Sequence, residues 1–122
     1  MFEFSHVGIV VQNMDESVDF YTRVLGCKVF SQHQVGDVQF TLFRAGDQVI
    51  ELLKFSQDNK ERGEGVISHI AFSVEDIGKE INRLKDLGVN LTTDQPRELP
   101  GMKIFFFTGP SGESIEFVQA HV

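Results

Sequence analysis

Residues 5–26 read SHVGIVVQNMDESVDFYTRVLG, and residues 68–88 read SHIAFSVEDIGKEINRLKDLG. Ser5-His6 matches Ser68-His69, and Leu25-Gly26 matches Leu87-Gly88. Further along, AGDQVIELL is echoed by PSGESIEFV, with Glu51 answering Glu116. The offsets are 63, 62 and 65 residues, a drift that ordinary loop changes explain. An internal repeat of this length means that one structural unit is built twice.

Each copy decodes alike. Residues 4–11 are rich in strand formers. Asn13 and Glu16 then form a cap-like pair ahead of Val18, Tyr21, Val24 and Leu25, which follow helical spacing, and Gly26 stands where a helix-ending glycine belongs. Strands are predicted at 27–35, 38–45 and 48–55, with Gly36-Asp37 and Gly46-Asp47 as hairpin turns. In the second copy the spacing predicts a strand at 68–74 and a helix at about 75–87. That helix is capped by Asp76, buries Ile77, Ile81 and Leu84, and is followed by Gly88. Strands at 89–92, 102–108 and 113–119 complete the copy, with Pro110-Ser111-Gly112 as a turn and 94–101 (DQPRELPG) as loop. The expected class is α+β. Two βαβββ modules, residues 1–55 and 68–122, are joined by a polar linker at 56–67 within one domain of residues 1–122, and their eight strands form a curved mixed sheet.

Composition excludes several functions. The 122 residues fit one domain, 41% of them hydrophobic and 24% charged, which is a globular balance. Eleven basic against eighteen acidic residues give a net charge of −7, which argues against nucleic acid or an anionic membrane as partner. No apolar run approaches a membrane span, and the first residues read as no signal peptide. Cys27 is the single cysteine and reads as a small buried residue in a reducing, cytoplasmic setting.

Strand alternation places the chemistry. Val7, Ile9 and Val11 share one face of the first strand; His6, Gly8 and Val10 share the other. The copy repeats this with Ile70, Phe72 and Val74 against His69, Ala71 and Ser73. Ile50 and Leu52 flank Glu51 from the opposite face, as Ile115 and Phe117 flank Glu116. If the helices take the bulky face, both His and both Glu lie on the other, and in a curled sheet they converge. An ionised carboxylate in so apolar a strand needs a pairing group or a metal. Two imidazoles and two carboxylates suit Zn²⁺, Ni²⁺, Co²⁺, Mn²⁺ or Fe²⁺. His33, beside a turn, reads as solvated, and His121, next to the last residue, as frayed.

The motifs HVGIVV with DFYTRVLG, QVIELL, SHIAFSVEDI with LKDLG, and FTGPSGESIEF together resemble the glyoxalase or vicinal oxygen chelate superfamily over nearly the whole chain. The resemblance implies metal ligands at His6, Glu51, His69 and Glu116, with Ni²⁺ or Zn²⁺ as the metal and a homodimer as the assembly. The implied reaction is that of bacterial glyoxalase I. A 2-oxoaldehyde–thiol hemithioacetal passes through a metal-bound enediolate to a 2-hydroxyacyl thioester, with Glu116 or Glu51 moving the proton and Glu116 favoured. Relatives of that kind often carry an Arg a few residues after the first His; HVGIVVQ has none. Arg44, Lys54, Arg97 and Lys103 are candidate cations for holding an anionic substrate group. Methylmalonyl-CoA epimerase, whose substrate is an acyl thioester, is the alternative that GEGVISHIAFSVEDI suggests. An Fe²⁺ extradiol dioxygenase ranks lower, and a metal-free antibiotic-binding protein is the alternative from another class.

Overall fold

The computed structural model describes residues 3–57, 62 and 65–121. Half of the expected linker, residues 58–61, 63 and 64, lies outside them. The chain divides into two compact units, Met1–Glu61 and Arg62–Val122. The first contains β1 (Val7–Val10), α1 (Met14–Asp19), which runs into a π-helical turn (Phe20–Val24), then β2 (Lys28–Val35), β3 (Val38–Ala45) and β4 (Gln48–Phe55). The second contains β5 (Ile70–Ser73), α2 (Ile77–Asp86), β6 (Arg97–Leu99), β7 (Met102–Thr108) and β8 (Ser114–Ala120). The eight strands fall equally into two mixed sheets, ordered β1-β4-β3-β2 and β5-β8-β7-β6. In each, the opening strand runs parallel to the closing one and the other pairs are antiparallel. The parallel pair is possible because the helix carries the chain across the sheet first. This is the α+β, twice-built βαβββ plan.

Turn chemistry fixes the register. Val35 pairs with Val38 and Ala45 with Gln48, so each hairpin has two loop residues. Gly36 and Gly46 both adopt φ 61°, while no non-glycine residue described has positive φ. Glycine first and an ordinary residue second is the II′ arrangement, whose twist matches the strands.

The second helix follows its sequence. Asp76 caps it by accepting from the Lys79 N–H at 3.1 Å, and Ile77, Ile81 and Leu84 are buried. The Gln119 side chain on β8 accepts from the Ile77 N–H at 2.8 Å, tying the helix start to the sheet. The first helix departs from its expected stripe. Asn13 caps it as anticipated, accepting from Glu16 N–H at 3.0 Å. Ser17, Phe20, Tyr21 and Val24 are buried, whereas Val18 and Leu25 are only half-buried. The buried set is spaced i, i+3, i+4, i+7, so the core-facing stripe runs through Ser17 rather than Val18; at the helix end the Leu25 N–H reaches back five residues to the Phe20 carbonyl in a π turn. The Thr22 hydroxyl donates to the Val18 carbonyl at 2.8 Å, occupying an acceptor within the altered helix.

Two expectations are corrected in the second unit. No strand forms at 89–92; β6 lies instead at Arg97–Leu99, inside the stretch read as loop. Leu99 pairs with Met102 across a turn containing Gly101 at φ 81°. The strand survives its flanking Pro96 and Pro100 because it is an edge strand, which needs hydrogen bonds on one side only. His121 is not frayed: its N–H donates to the Gly101 carbonyl at 3.0 Å, and its Nε2 lies 3.2 Å from Glu98 Oε2.

In each unit one sheet face carries the core. Phe43, Ile50 and Leu52 are buried with Tyr21 and Val24 in the first, and Phe107, Ile115 and Phe117 with Ile77, Ile81 and Leu84 in the second. Glu51 and Glu116 sit between these apolar residues in sequence and therefore point to the opposite faces.

Candidate functional site

The two units present the same constellation. In the first, Gly8 on β1 pairs with Glu51 on β4, so His6, two residues earlier, is carried to the same face as the carboxylate. His6 Nε2 lies 3.8 Å from Glu51 Oε1, and Ser5 Oγ is hydrogen-bonded to His6 Nδ1 at 2.9 Å. Gly8 keeps the face open: a Cβ there would stand 3.7 Å from Glu51 Oε1 and 3.2 Å from Leu53 Cδ1. In the second, Ala71 pairs with Glu116, His69 Nε2 lies 3.1 Å from Glu116 Oε1, and Ser68 Oγ meets His69 Nδ1 at 2.5 Å. Phe106, opposite Glu116 on β7, sets its ring edge-on to the His69 imidazole at 5.3 Å and 84°. The second pair is the closer and the drier, with the Glu116 side chain 12% exposed against 19% for Glu51.

The serines decide what the imidazoles can do. A hydroxyl both donates and accepts. When it accepts from Nδ1–H, the Nε2 lone pair is free to bind a cation; when it donates to Nδ1, Nε2 carries the proton and faces the carboxylate. Fixing one ring nitrogen so that the other is aimed is the usual support for a metal-bound histidine. The four expected donors are thus brought together as two pairs, one in each unit. Among the described residues no cluster of three or more His, Cys, Asp or Glu gathers. Each pair offers an imidazole nitrogen and a largely shielded carboxylate oxygen, a donor set that fits a divalent cation of intermediate hardness.

Strand register sorts the four candidate cations. Arg44 pairs with Val49 and Arg97 with Ile104, which puts each on the same sheet face as the carboxylate of its unit. Lys54 and Lys103 fall on the opposite faces. Lys54 Nζ donates to the Phe55 carbonyl at 2.7 Å, and Lys103 Nζ lies 3.6 Å from Glu98 Oε1. His33 is exposed as expected and stacks on Phe40, their centroids 5.1 Å apart. The roles of the two serines and of Phe106 escape the sequence reading. The doubled Ser-His dipeptide was a visible signal for the serines; nothing local marks Phe106, whose place depends on cross-strand register.

Cys27 is buried, and burial pushes its thiol up to about 11 from the ordinary 9.0. Its neutral form is therefore favoured in the fold: this contribution to stability is full below pH 9.0 and is lost as the pH rises through about 11. A thiol reagent at neutral pH should leave the folded protein unmodified and label it promptly in denaturant. Rapid labelling of the folded protein would contradict this placement.

Sheet order, doubled module and doubled Ser-His/Glu pairs define one class: the chain belongs to the Glyoxalase/Bleomycin resistance protein/Dioxygenase superfamily, whose family description matches residues 3–117. Among its relatives, the uncharacterized protein YwbC of Bacillus subtilis is 32% identical over 120 residues, covering 93% of this chain and 94% of its own. A lactoylglutathione lyase of Neisseria meningitidis is 31% identical over 121 residues, covering 93% and 88%. The solved structure of the trypanothione-dependent glyoxalase I of Leishmania major superposes with a TM-score of 0.81 at 25% identity, over 98% of this chain and 87% of that one. Among the described residues no helix is long and apolar enough to cross a membrane.

Proposed function

We propose that this chain is a divalent-metal-dependent lyase of the glyoxalase I type. It isomerises the hemithioacetal of a 2-oxoaldehyde and a thiol to a 2-hydroxyacyl thioester. The observation that carries the reading is the twofold Ser-His/Glu pair, each Glu in register with a small residue of the neighbouring parallel strand. Its setting adds support: the family includes lactoylglutathione lyases about 31% identical to this chain.

His6, Glu51, His69 and Glu116 would hold the metal, Ni²⁺ or Zn²⁺ by preference. When bound, it supplies a Lewis acid for the two neighbouring oxygens of the substrate. The chain supplies the proton transfer. One proton leaves the carbon that bears sulfur, passes to a carboxylate oxygen, and is delivered to the adjacent former carbonyl carbon. Hydroxyl and carbonyl exchange places, so product and substrate are isomers and no oxidant is consumed. Glu116 is the preferred carrier, because it is the more shielded of the two carboxylates and the nearer to its imidazole, so water competes less for its oxygens. Its neighbours Ala71 and Phe106 bring no competing hydrogen-bonding side chain. We take the enzyme to be a cytoplasmic homodimer, in keeping with its single buried thiol and with the family resemblance.

The test is an activity panel on protein loaded with Ni²⁺, Zn²⁺ or Co²⁺. Methylglyoxal hemithioacetals of several thiols are compared with methylmalonyl-CoA. Thioester should form from the hemithioacetals and disappear on chelation. Solvent deuterium entering only the acyl-CoA would replace this reading with an epimerase.

A further inference from the structure

We propose that Lys28, Phe30 and Arg44 form an oxyanion-binding subsite for the thiol arm of the substrate, on the same sheet face as Glu51. The proposal rests on reading that face as substrate-binding.

The register carries it. Lys28 on β2 stands directly opposite Arg44 on β3. Side chains directly opposite in an antiparallel pair share a face and lie close, and like charges so placed repel. The chain has eighteen acidic residues and eleven basic ones, so facing two cations is not forced by composition. Both are exposed, and among the described residues neither has a carboxylate partner. An anion between them would turn the repulsion into a clamp.

Phe30 supplies a second, independent observation. The β2–β3 register shifts between Val29 and Ser31, leaving Phe30 as the bulged residue. The bulge brings its exposed ring against the Arg44 guanidinium, whose Cζ lies 4.6 Å from the ring centroid. Bulges re-aim side chains in this way. The aromatic face holds the guanidinium plane while leaving its edge of N–H donors free to grip a carboxylate or phosphate.

The distance suits a substrate arm. Arg44 pairs with Val49 and Leu42 with Glu51, so Arg44 is the diagonal neighbour of Glu51, about 7–8 Å away between backbones. A reacting carbon at Glu51 would leave the arm of a carboxylate- or phosphate-bearing thiol to run along β3 toward the two cations. No basic residue follows His6 in HVGIVVQ to take that part.

Calorimetric titration with two non-reacting probes tests this without turnover, so a failed lyase assay does not decide it. The probes are S-methylglutathione, which carries carboxylates, and coenzyme A, which carries phosphates. At least one should bind the wild type, and Arg44→Gln should weaken it about tenfold or more, with Lys28→Gln in the same direction. Dependence seen only with S-methylglutathione assigns a carboxylate, and only with coenzyme A a phosphate; either supports the subsite. Binding of neither probe to the wild type, or equal affinity in wild type and Arg44→Gln, overturns it. Both substituted positions are exposed, so circular dichroism should report a native fold in each variant.

Discussion

Glu116→Gln is expected to lower kcat for thioester formation by about 10²–10⁴-fold, the range that a positioned general base contributes. Glutamine keeps the volume and one oxygen of the carboxylate but cannot accept the proton. The side chain sits between Ala71 and Phe106, with Ile115 and Phe117 buried on the reverse face, so the isosteric change has no packing reason to unfold β8. A melting temperature close to wild type should accompany the lost turnover. The companion Glu51→Gln should cost less, because Glu51 is the more exposed and stands 3.8 Å from its imidazole rather than 3.1 Å. Kinetics with each variant, combined with deuterium uptake at the transferred position, separates the two. If Glu51→Gln is the more damaging, the base belongs to the first unit. If neither variant falls by more than about threefold, carboxylate catalysis at these positions is wrong.

What the sequence discloses about this protein is local and periodic. Asp76, Ile77, Ile81, Leu84 and Gly88 announce the second helix completely, since a cap, a stripe and a terminator act within a few turns of each other. Gly36 and Gly46 announce the two hairpins for the same reason, and from them the faces of β3 and β4 follow. With the faces known, each His could be assigned to the side of its Glu before any coordinates. The failures share a cause of their own. The first helix buries the small polar Ser17 where the apolar pattern pointed to Val18, and Leu25, just past the π turn at Phe20–Val24, is likewise only half-buried. The edge strand Arg97–Leu99 hides between prolines that would be excluded from a central strand. Lys28 looks like any surface lysine until the Val29/Ser31 register shift sets it opposite Arg44 and tips Phe30 beneath the guanidinium. Cross-strand neighbours depend on bulges, and bulges are not written in residue type. The same limit hid Phe106, which reaches His69 only through the pairing of β7 with β8.

Phe43→Ala should be among the most destabilising single changes in the first unit, at about 3–5 kcal/mol. Phe43 is fully buried, pairs across β3–β4 with the buried Ile50, and packs against Tyr21 with ring centroids 5.7 Å apart. Truncation removes a whole ring from a face that the helix covers, and the rigid flanking strands can close the cavity only in part. Against a total stability of about 5–15 kcal/mol for an ordinary domain, such a loss is a large fraction. Phe30→Ala provides the contrast, because that ring is exposed; its expected cost is about 0.5 kcal/mol or less. Urea unfolding of the two variants against wild type measures the difference, with an unchanged denaturant slope marking a clean change in stability. Equal losses for Phe43→Ala and Phe30→Ala would mean that the faces of β3 are wrongly assigned. Glu51, whose direction is read from the same alternation, would then point into the core, where a carboxylate could neither receive a proton from substrate nor share a cation with His6.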